Sequence, residues 1–194
     1  KIIEEISKKI CKKPLAIEKD LVVKYLNFKQ VSEKFSVFAN LSYKDILSEL
    51  KDATYAMSST GRIKNIFSQK EIHVASPRLK DGGLSLTKDG VILCHKLRRL
   101  EIPSCLPSED FEDRPGEGPP WIVVNDDAVP FAKMGRNVFH QFIVAADKWI
   151  IPGLPCIIVD ASGNLLAHGI SNTTSDEIGK MKKGVAIKVK SGFE

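Results

Sequence analysis

The residues best suited to bind a charged ligand lie between Lys133 and Asn137, where the sequence reads KMGRN. A glycine lets a ligand approach the backbone N–H groups, and the guanidinium of Arg136 is a forked cation that fits a phosphate or the edge of a base. An apolar run begins at Val138, so this turn is expected to open a buried strand. The pattern predicts either an anion-binding loop or an ordinary turn with solvated cations.

Side chains that could catalyse a reaction are scattered along the chain. Asp126 and Asp127 are adjacent, but they follow a strand pattern and precede a short helix, where Asn125 or Asp126 is expected to serve as the cap. His140 and His168 fall on predicted strands, a position that favours packing over proton transfer. An enzyme with an active site around Asp81 or His95 is the least favoured hypothesis, because no nucleophile and base are spaced to support it.

The cysteines do not form a metal-binding pattern. Four of them stand at positions 11, 94, 105 and 156, without a C-x-x-C pair and without a histidine at ligand spacing. This spacing argues against a structural zinc site and against a secreted disulfide framework. We expect buried, reduced thiols and no metal or other cofactor.

Charge is distributed unevenly along a chain whose net charge is +5. Between Arg62 and Arg99 there are nine Lys or Arg residues against three Asp or Glu residues. A basic region of this kind is the electrostatic footprint of a polyanion binder. A lysine-rich solvated surface of a thermophilic protein would have the same composition, so charge alone leaves both interpretations open.

The composition, 43% apolar and 27% charged, is that of a folded protein. No apolar run approaches the roughly 20 residues that a membrane helix needs. Residues 1–13 alternate apolar and charged side chains instead of forming the apolar segment of a signal peptide. We therefore expect a cytoplasmic protein with no membrane partner.

The elements that must position the candidate residues begin with helices. Helical spacing of apolar residues predicts one helix over residues 2–10 and another over 15–26, and a capping box at 42–45 begins a third. Alternation from Gly61 onward predicts short strands at 62–67, 71–75 and 84–86. Thr87 then caps a helix that reaches Leu100, with Val91, Ile92 and Leu97 facing inward. Helices followed by a small antiparallel sheet indicate an α+β unit.

A proline-rich acidic segment divides the chain. Residues 103–120 contain five prolines and two glycines, and five acids stand against one arginine between positions 108 and 118. This is the composition of a semi-rigid linker. The predicted organisation is a helical segment plus an α+β unit at 1–106, a linker at 107–119 and a second domain at 120–194.

The second domain is rich in predicted strands. These lie near residues 121–124, 138–145, 157–160, 165–168 and 185–189, with one short helix after the first strand, a pattern typical of a small mixed barrel. Five aromatic side chains are expected in its core: Trp121, Phe131, Phe139, Phe142 and Trp149.

The order of motifs in this domain resembles that of a PUA domain, the RNA-binding pseudo-barrel of many RNA-modifying enzymes. The matching motifs are KxGRNVF from residue 133, AD from 146, IPG from 151, IIVD from 157, GxLLAxG from 163 and GVAIKVK from 184. The stretch WIVVNDDAVPF from residue 121 is most similar to the PUA domain that closes archaeal tRNA-guanine transglycosylase. GRIKNI from 61 and DGGLSLTKDG from 81 resemble the pre-PUA unit of that enzyme and of archaeosine synthase.

The resemblance implies which residues contact RNA. In PUA domains these are the loop after the first helix and the last strand, which correspond here to Lys133, Gly135, Arg136 and Asn137, and to Lys188 and Lys190. A second basic face on the pre-PUA unit is also predicted, with candidates Arg62, Lys64, Arg78, Lys96, Arg98 and Arg99.

The resemblance also implies a function. The transglycosylase carries catalytic aspartates and a zinc site in a large barrel that these 194 residues cannot contain, and the motif of the synthase is missing as well. We therefore expect a non-catalytic tRNA-binding protein that serves archaeosine formation in the tRNA D-arm. Its helical N-terminus would dock a catalytic subunit of a split transglycosylase or synthase. The alternative is a free-standing PUA protein in ribosomal RNA maturation or translation.

Overall fold

The structure begins with two helices that pack on a sheet. A computed structural model of the chain describes residues 19–80, 82–97 and 118–193. Helix α1 (Lys19–Ala39) extends well past the predicted end at residue 26, because Val31, Phe35 and Ala39 continue its buried stripe at four-residue spacing. Helix α2 (Tyr43–Leu50) begins as predicted, since the Ser42 hydroxyl accepts a hydrogen bond from Asp45 N at 3.2 Å. The helix predicted at 2–10 lies outside the described residues.

The N-terminal sheet has four antiparallel strands in chain order: β1 (Thr54–Met57), β2 (Ile63–Phe67), β3 (His73–Pro77) and β4 (Leu84–Leu86). The sequence did not predict β1, whose edge position leaves it without the buried alternation of an inner strand. Helix α3 (Lys88–Leu97) starts after Thr87, whose hydroxyl accepts from Gly90 N at 3.1 Å. Ile92 was predicted to face inward, but it is 48% exposed, and Cys94 occupies the buried position.

The C-terminal unit is a six-stranded sheet. The strands are β5 (Trp121–Val124), β6 (Val138–Phe139), β7 (Ile143–Ala146), β8 (Pro155–Val159), β9 (Leu165–Ser171) and β10 (Val185–Gly192). Their order in the sheet is β6-β10-β9-β8-β5-β7, and only the β5–β8 pair is parallel among these six strands. A 3₁₀ turn (Asp126–Ala128) and helix α4 (Val129–Lys133) follow β5.

This sheet curls into a nearly closed barrel. β6 and β7 lie at opposite edges of the sheet, yet only the 3₁₀ turn His140–Phe142 separates them in the chain. A three-residue connection can join the two edges only if the sheet curls and brings them together. The single strand predicted over 138–145 is therefore wrong, because the chain must break there to cross from one edge to the other.

One apolar core extends across both units. β5 and β8 are buried along their whole length. Because successive strand residues point to opposite faces, Trp121 and Val123 pack with the N-terminal unit, whereas Ile122 and Val124 fill the barrel. The predicted linker bounds at residues 107 and 119 stay predictions. The N-terminal unit and the barrel on either side of that linker share a buried apolar interface.

Polar contacts join the same two units. The Arg78 guanidinium donates to Gly153 O at 3.0 Å, and a ring nitrogen of His95 lies 3.3 Å from Gly163 O. Arg78 was a candidate for the second basic face, but its guanidinium makes this contact instead. The two units are thus joined by hydrogen bonds as well as by apolar packing.

The described residues agree with the expected state of two of the cysteines. Cys94 and Cys156 are both buried, and burial raises the pKa of the Cys94 thiol to about 12. Cys11 and Cys105 lie outside the described residues. Within the described ranges, no group of three or more metal-binding side chains is found, and no helix is long and apolar enough to cross a membrane.

Candidate nucleic-acid interface

The loop that was predicted to bind an anion is the C-terminal cap of α4. Gly135 N donates to Ala132 O at 2.9 Å, and Arg136 N donates to Phe131 O at 3.0 Å. Gly135 has a φ of +78°, a left-handed conformation that glycine adopts without steric cost. The chain thereby leaves the helix axis directly before Val138 enters the sheet.

These hydrogen bonds correct one expectation. The glycine was expected to expose backbone N–H groups to a phosphate, but the N–H groups of Gly135 and Arg136 are used to close the helix. Anion binding at this loop must therefore come from side chains. The role of the glycine is to allow the turn and the close packing that follows.

The end of β10 lies directly against the loop. A Cβ added to Gly192 would stand 1.7 Å from Lys133 O and 2.9 Å from Gly135 N, so only glycine permits this approach. Asn137 Oδ1 accepts a hydrogen bond from Val189 N at 3.0 Å and ties the loop to the strand. The structure thus brings together the two segments of the predicted RNA site.

The polar side chains of these segments face solvent. Lys188 and Lys190 are both exposed and are two residues apart on β10, whereas Ile187 is buried. In the loop, Lys133 and Arg136 are exposed as well. Four cations from two distant parts of the sequence therefore lie on adjoining segments of the barrel surface, which is the arrangement that a polyanion requires.

One carboxylate belongs to the same neighbourhood. Burial alone would raise the pKa of Asp160, but hydrogen bonds from Asn164 and Ser162 and the charge of Lys133 hold it below its ordinary value. Asp160 Oδ1 accepts from Ser162 N and from Asn164 N, each at 2.9 Å, so this carboxylate orders the β8–β9 turn. It stays ionised at neutral pH and offsets part of the positive charge at the Lys133 end of the face.

The second predicted basic face lies on the other sheet of the molecule. Arg62 precedes β2 and Lys64 lies on it, and both are exposed. β2 belongs to the four-stranded N-terminal sheet, whereas β10, which carries Lys188 and Lys190, belongs to the six-stranded sheet. Arg98 and Arg99 lie outside the described residues.

Three of the five aromatic residues predicted for the barrel core are on its surface. Phe131, Phe139 and Trp149 are 54%, 43% and 45% exposed, whereas Trp121 is buried. α4 is only five residues long and turns Ala132 inward instead of Phe131. The strand alternation in which Val138 is buried would have placed Phe139 outside, and this is a signal that sequence reasoning missed.

Comparisons with known proteins agree with this architecture. Residues 120–193 match the family model of the PUA domain. Since this range is the six-stranded barrel, the C-terminal unit is a PUA domain, as the motif order predicted. The α+β fold class with a helical N-terminal segment is confirmed as well.

Curated relatives of the chain include tRNA-guanine(15) transglycosylases. The protein from Methanocaldococcus jannaschii is 34% identical over 136 residues, which are 70% of this chain and 18% of that relative. The protein from Thermococcus onnurineus is 31% identical over 144 residues, 74% of this chain and 22% of that relative. These alignments are longer than the PUA match, so the similarity continues into the N-terminal unit. The chain spans about a fifth of the length of these relatives.

A solved structure shares the fold of both units. A hypothetical protein from Pyrococcus horikoshii superposes with a TM-score of 0.56 over 85% of this chain and 89% of its own length, at 21% sequence identity. The N-terminal α+β unit followed by a PUA barrel is therefore an architecture found in another protein.

Proposed function

We propose that this chain binds tRNA through the face formed by loop 133–137 and the outer side of β10. The observation that carries the proposal is the contact of Gly192 with Lys133 and Gly135, which holds two cationic segments together on one surface. This face then offers four side-chain cations on a backbone that is already ordered before the RNA binds: Lys133, Arg136, Lys188 and Lys190. A preformed cationic face loses less conformational entropy when it binds a polyanion.

The proposed RNA is tRNA, and the proposed setting is guanine modification. Both rest on the similarity to tRNA-guanine(15) transglycosylases, which extends over about 70% of the chain. In this setting the chain acts as a non-catalytic accessory part that presents tRNA to a catalytic polypeptide.

The proposed docking surface for that polypeptide is α1. Val23, Leu26 and Val37 on this helix are 47%, 55% and 67% exposed. Exposed apolar side chains on a helix are suited to contact with a protein partner. Docking there would leave the barrel face open to tRNA.

The first test compares two substitutions that remove the same charge. Arg136→Ala should weaken binding of a tRNA transcript by about 1–3 kcal/mol, the range for losing a charge-assisted contact. Lys29→Ala removes one exposed cation on α1, outside both predicted RNA faces, and should change affinity little. Thermal unfolding of both variants should stay within about 0.5 kcal/mol of the parent. If Arg136→Ala binds tRNA like the parent, the loop is only a turn.

Salt dependence tests the electrostatic part of the proposal. A handful of phosphate contacts should give a log–log slope on the order of −3 to −5 for affinity against salt concentration. The Arg136→Ala variant should reduce the slope by about 1. In the double variant Arg62→Ala/Lys64→Ala, a further reduction would support the second face, and an unchanged slope would remove it from the RNA site.

The identity of the RNA and of the partner is tested by copurification. The tagged chain, recovered from its native extract, should retain tRNA together with a catalytic polypeptide of guanine modification. Retention of ribosomal RNA in place of tRNA would favour the alternative, a PUA protein of ribosomal RNA maturation or translation.

A further inference from the structure

A buried histidine lies beside a lysine where the two units meet. His168 lies on β9 and is 5% exposed, and its ring centroid is 6.0 Å from that of Phe193. The Lys88 ammonium, at the start of α3, lies 5.6 Å from the centroid of the same Phe193 ring. Phe193 therefore connects the first turn of α3 with β9 across the junction.

A bulge in β10 adds a second lysine to this junction. His168 pairs with Ser191 and Gly169 pairs with Val189, so Lys190 is the extra residue between the two pairs. A bulge bends the strand and re-aims the side chain of the extra residue. The charge of Lys190 reaches the neighbouring strand, because it acts on His168.

The charges at the junction are unbalanced. Burial lowers the pKa of His168, and the charges of Lys88 and Lys190 lower it further, whereas a hydrogen bond with the Leu86 carbonyl opposes them. No carboxylate of the described residues forms an ion pair with either lysine. Asp89 follows in the first turn of α3, but successive residues of a helix do not face each other. The junction therefore holds two cations that an anion would stabilise.

One polar atom of His168 has no partner. Its Nδ1 is buried and makes no hydrogen bond, so the bond with the Leu86 carbonyl uses the other ring nitrogen. Across the sheet, His168 pairs with the apolar Ile157 of β8. A buried polar atom without a partner costs free energy. A proton on Nδ1 would turn it into a donor, and an anion at the junction would stabilise the resulting imidazolium.

We propose that the junction binds a phosphate group between Lys88 and Lys190, with His168 behind the two lysines. A phosphate offers several acceptor oxygens to donors that come from different elements, and it stays negatively charged at neutral pH. The inference goes beyond the proposed function in two ways. It gives the N-terminal unit a contact with the ligand, and the phosphate can belong either to an RNA backbone or to a small molecule.

Binding of the phosphate is coupled to a proton. The anion offsets the charges of Lys88 and Lys190, so His168 holds a proton more readily in the bound state than in the free protein. The affinity for phosphate groups should therefore rise as the pH falls through the ordinary range of histidine, from about 7.5 to about 5.5. A contact made by the two lysines alone would lack this dependence.

The experiment follows His168 by NMR in the full chain. The Cε1–H signal of His168 is identified by its loss in His168→Gln. It is recorded at constant ionic strength, first with inorganic phosphate and then with a tRNA transcript. Lys88→Gln and Lys190→Gln each remove one charge from the junction. Lys29→Gln, which removes an exposed charge from α1, is the matched control.

The parent and Lys29→Gln should give the same result. Near about pH 6, phosphate should move the His168 signal towards that of the protonated ring, and the movement should be lost in Lys88→Gln and in Lys190→Gln. Each of these two variants should also weaken tRNA binding about 5- to 8-fold at about 0.1 M salt, the effect of one phosphate contact in counterion release. The rise of tRNA affinity at low pH should be smaller in His168→Gln.

The two sources of phosphate are distinguished by the same titrations. Movement with tRNA places an RNA phosphate at the junction, and movement with inorganic phosphate alone assigns it a small phosphate ligand; both results support the site. The inference is wrong if neither probe moves the signal or if Lys88→Gln leaves the movement unchanged. A parent that binds tRNA while His168 stays silent to both probes would refute the site alone. A parent that binds no tRNA but responds to phosphate would refute the proposed function and leave the site in place.

Discussion

Two Gly-Arg turns occur in this chain, one in each unit. Gly61 and Gly135 both have a left-handed backbone, with φ values of +74° and +78°. A Cβ at Gly61 would meet nothing within 4 Å, whereas a Cβ at Gly135 would lie 3.7 Å from Gly192 N at the end of β10. Arg62 therefore follows an open hairpin turn, and Arg136 follows a turn packed against a strand.

The difference separates two kinds of basic surface. A cation beside an open hairpin turn adds to the long-range field, and the backbone of Arg62 is held by hydrogen bonds with Ser58 of the same hairpin. A cation on a packed turn starts from a defined position and loses less entropy on binding. We infer that the barrel face determines which RNA geometry is bound, whereas the N-terminal face contributes general attraction.

The largest effect is expected from separating the two units. A fragment of residues 120–194 should still unfold cooperatively, but it exposes the faces of β5 and β8 that carry Trp121, Val123, Ile157 and Val159. We expect a loss of about 6 kcal/mol, the lower end of about 1.5–3 kcal/mol for each of these four side chains. Denaturant unfolding followed by tryptophan emission measures it. A fragment without cooperative unfolding would refute the predicted boundary, and one as stable as the full chain would show that the shared core contributes nothing.

An added methyl group should cost more where a strand packs against the Gly135 turn than in the open Gly61 turn. Gly192→Ala forces a Cβ against the carbonyl oxygen of Lys133, which no side-chain rotation relieves, and should cost about 3 kcal/mol and weaken RNA binding. Gly61→Ala meets open space and should cost only its backbone strain, about 1 kcal/mol. Chemical denaturation and tRNA affinity at fixed salt are measured for both. Equal losses in the two variants would mean that packing does not distinguish the turns.

A smaller effect is expected at the junction between the units when the pH falls. Burial lowers the pKa of His168 below its ordinary 6.5, with the charges of Lys88 and Lys190 acting in the same direction and the hydrogen bond to the Leu86 carbonyl opposing them. The unfolded state then binds the proton more readily than the folded state. The contribution of the neutral His168 to the free energy of unfolding is therefore fully present above about pH 6.5. It is lost as the pH falls towards the pKa of the folded state, by at most about 1.4 kcal/mol per pH unit.

The variant His168→Gln isolates this titration, because glutamine keeps a donor for Leu86 and does not titrate. The free energy of unfolding should depend less on pH in the variant than in the parent. It is measured between about pH 7.5 and about pH 5, a range that extends about one unit above and more than one unit below the ordinary histidine pKa. An identical dependence in both proteins would mean that His168 does not titrate at the junction.

Several features could be predicted from the sequence because they depend on neighbouring residues. The caps at Ser42, Thr87 and Asn125 each use a bond that spans three residues. The turn at Gly135 is likewise closed by bonds to the helix directly before it. The order of the PUA motifs was sufficient to predict the barrel and the two segments of the candidate RNA site.

Other features were decided only by the tertiary structure. Asn137 meets Val189 across 52 positions and Arg78 meets Gly153 across 75, contacts that depend on strand order and on the curling of the sheet. Phe131 and Phe139 lie on the surface although their apolar character predicted burial. Phe131 is exposed because α4 turns Ala132 inward, and Phe139 is exposed because it alternates with the buried Val138. The sequence by itself therefore determined the local turns, the helix caps and the class of domain. Only the folded chain decided which cations share a face and which aromatic residues stand beside them, because both depend on contacts between segments far apart in the sequence.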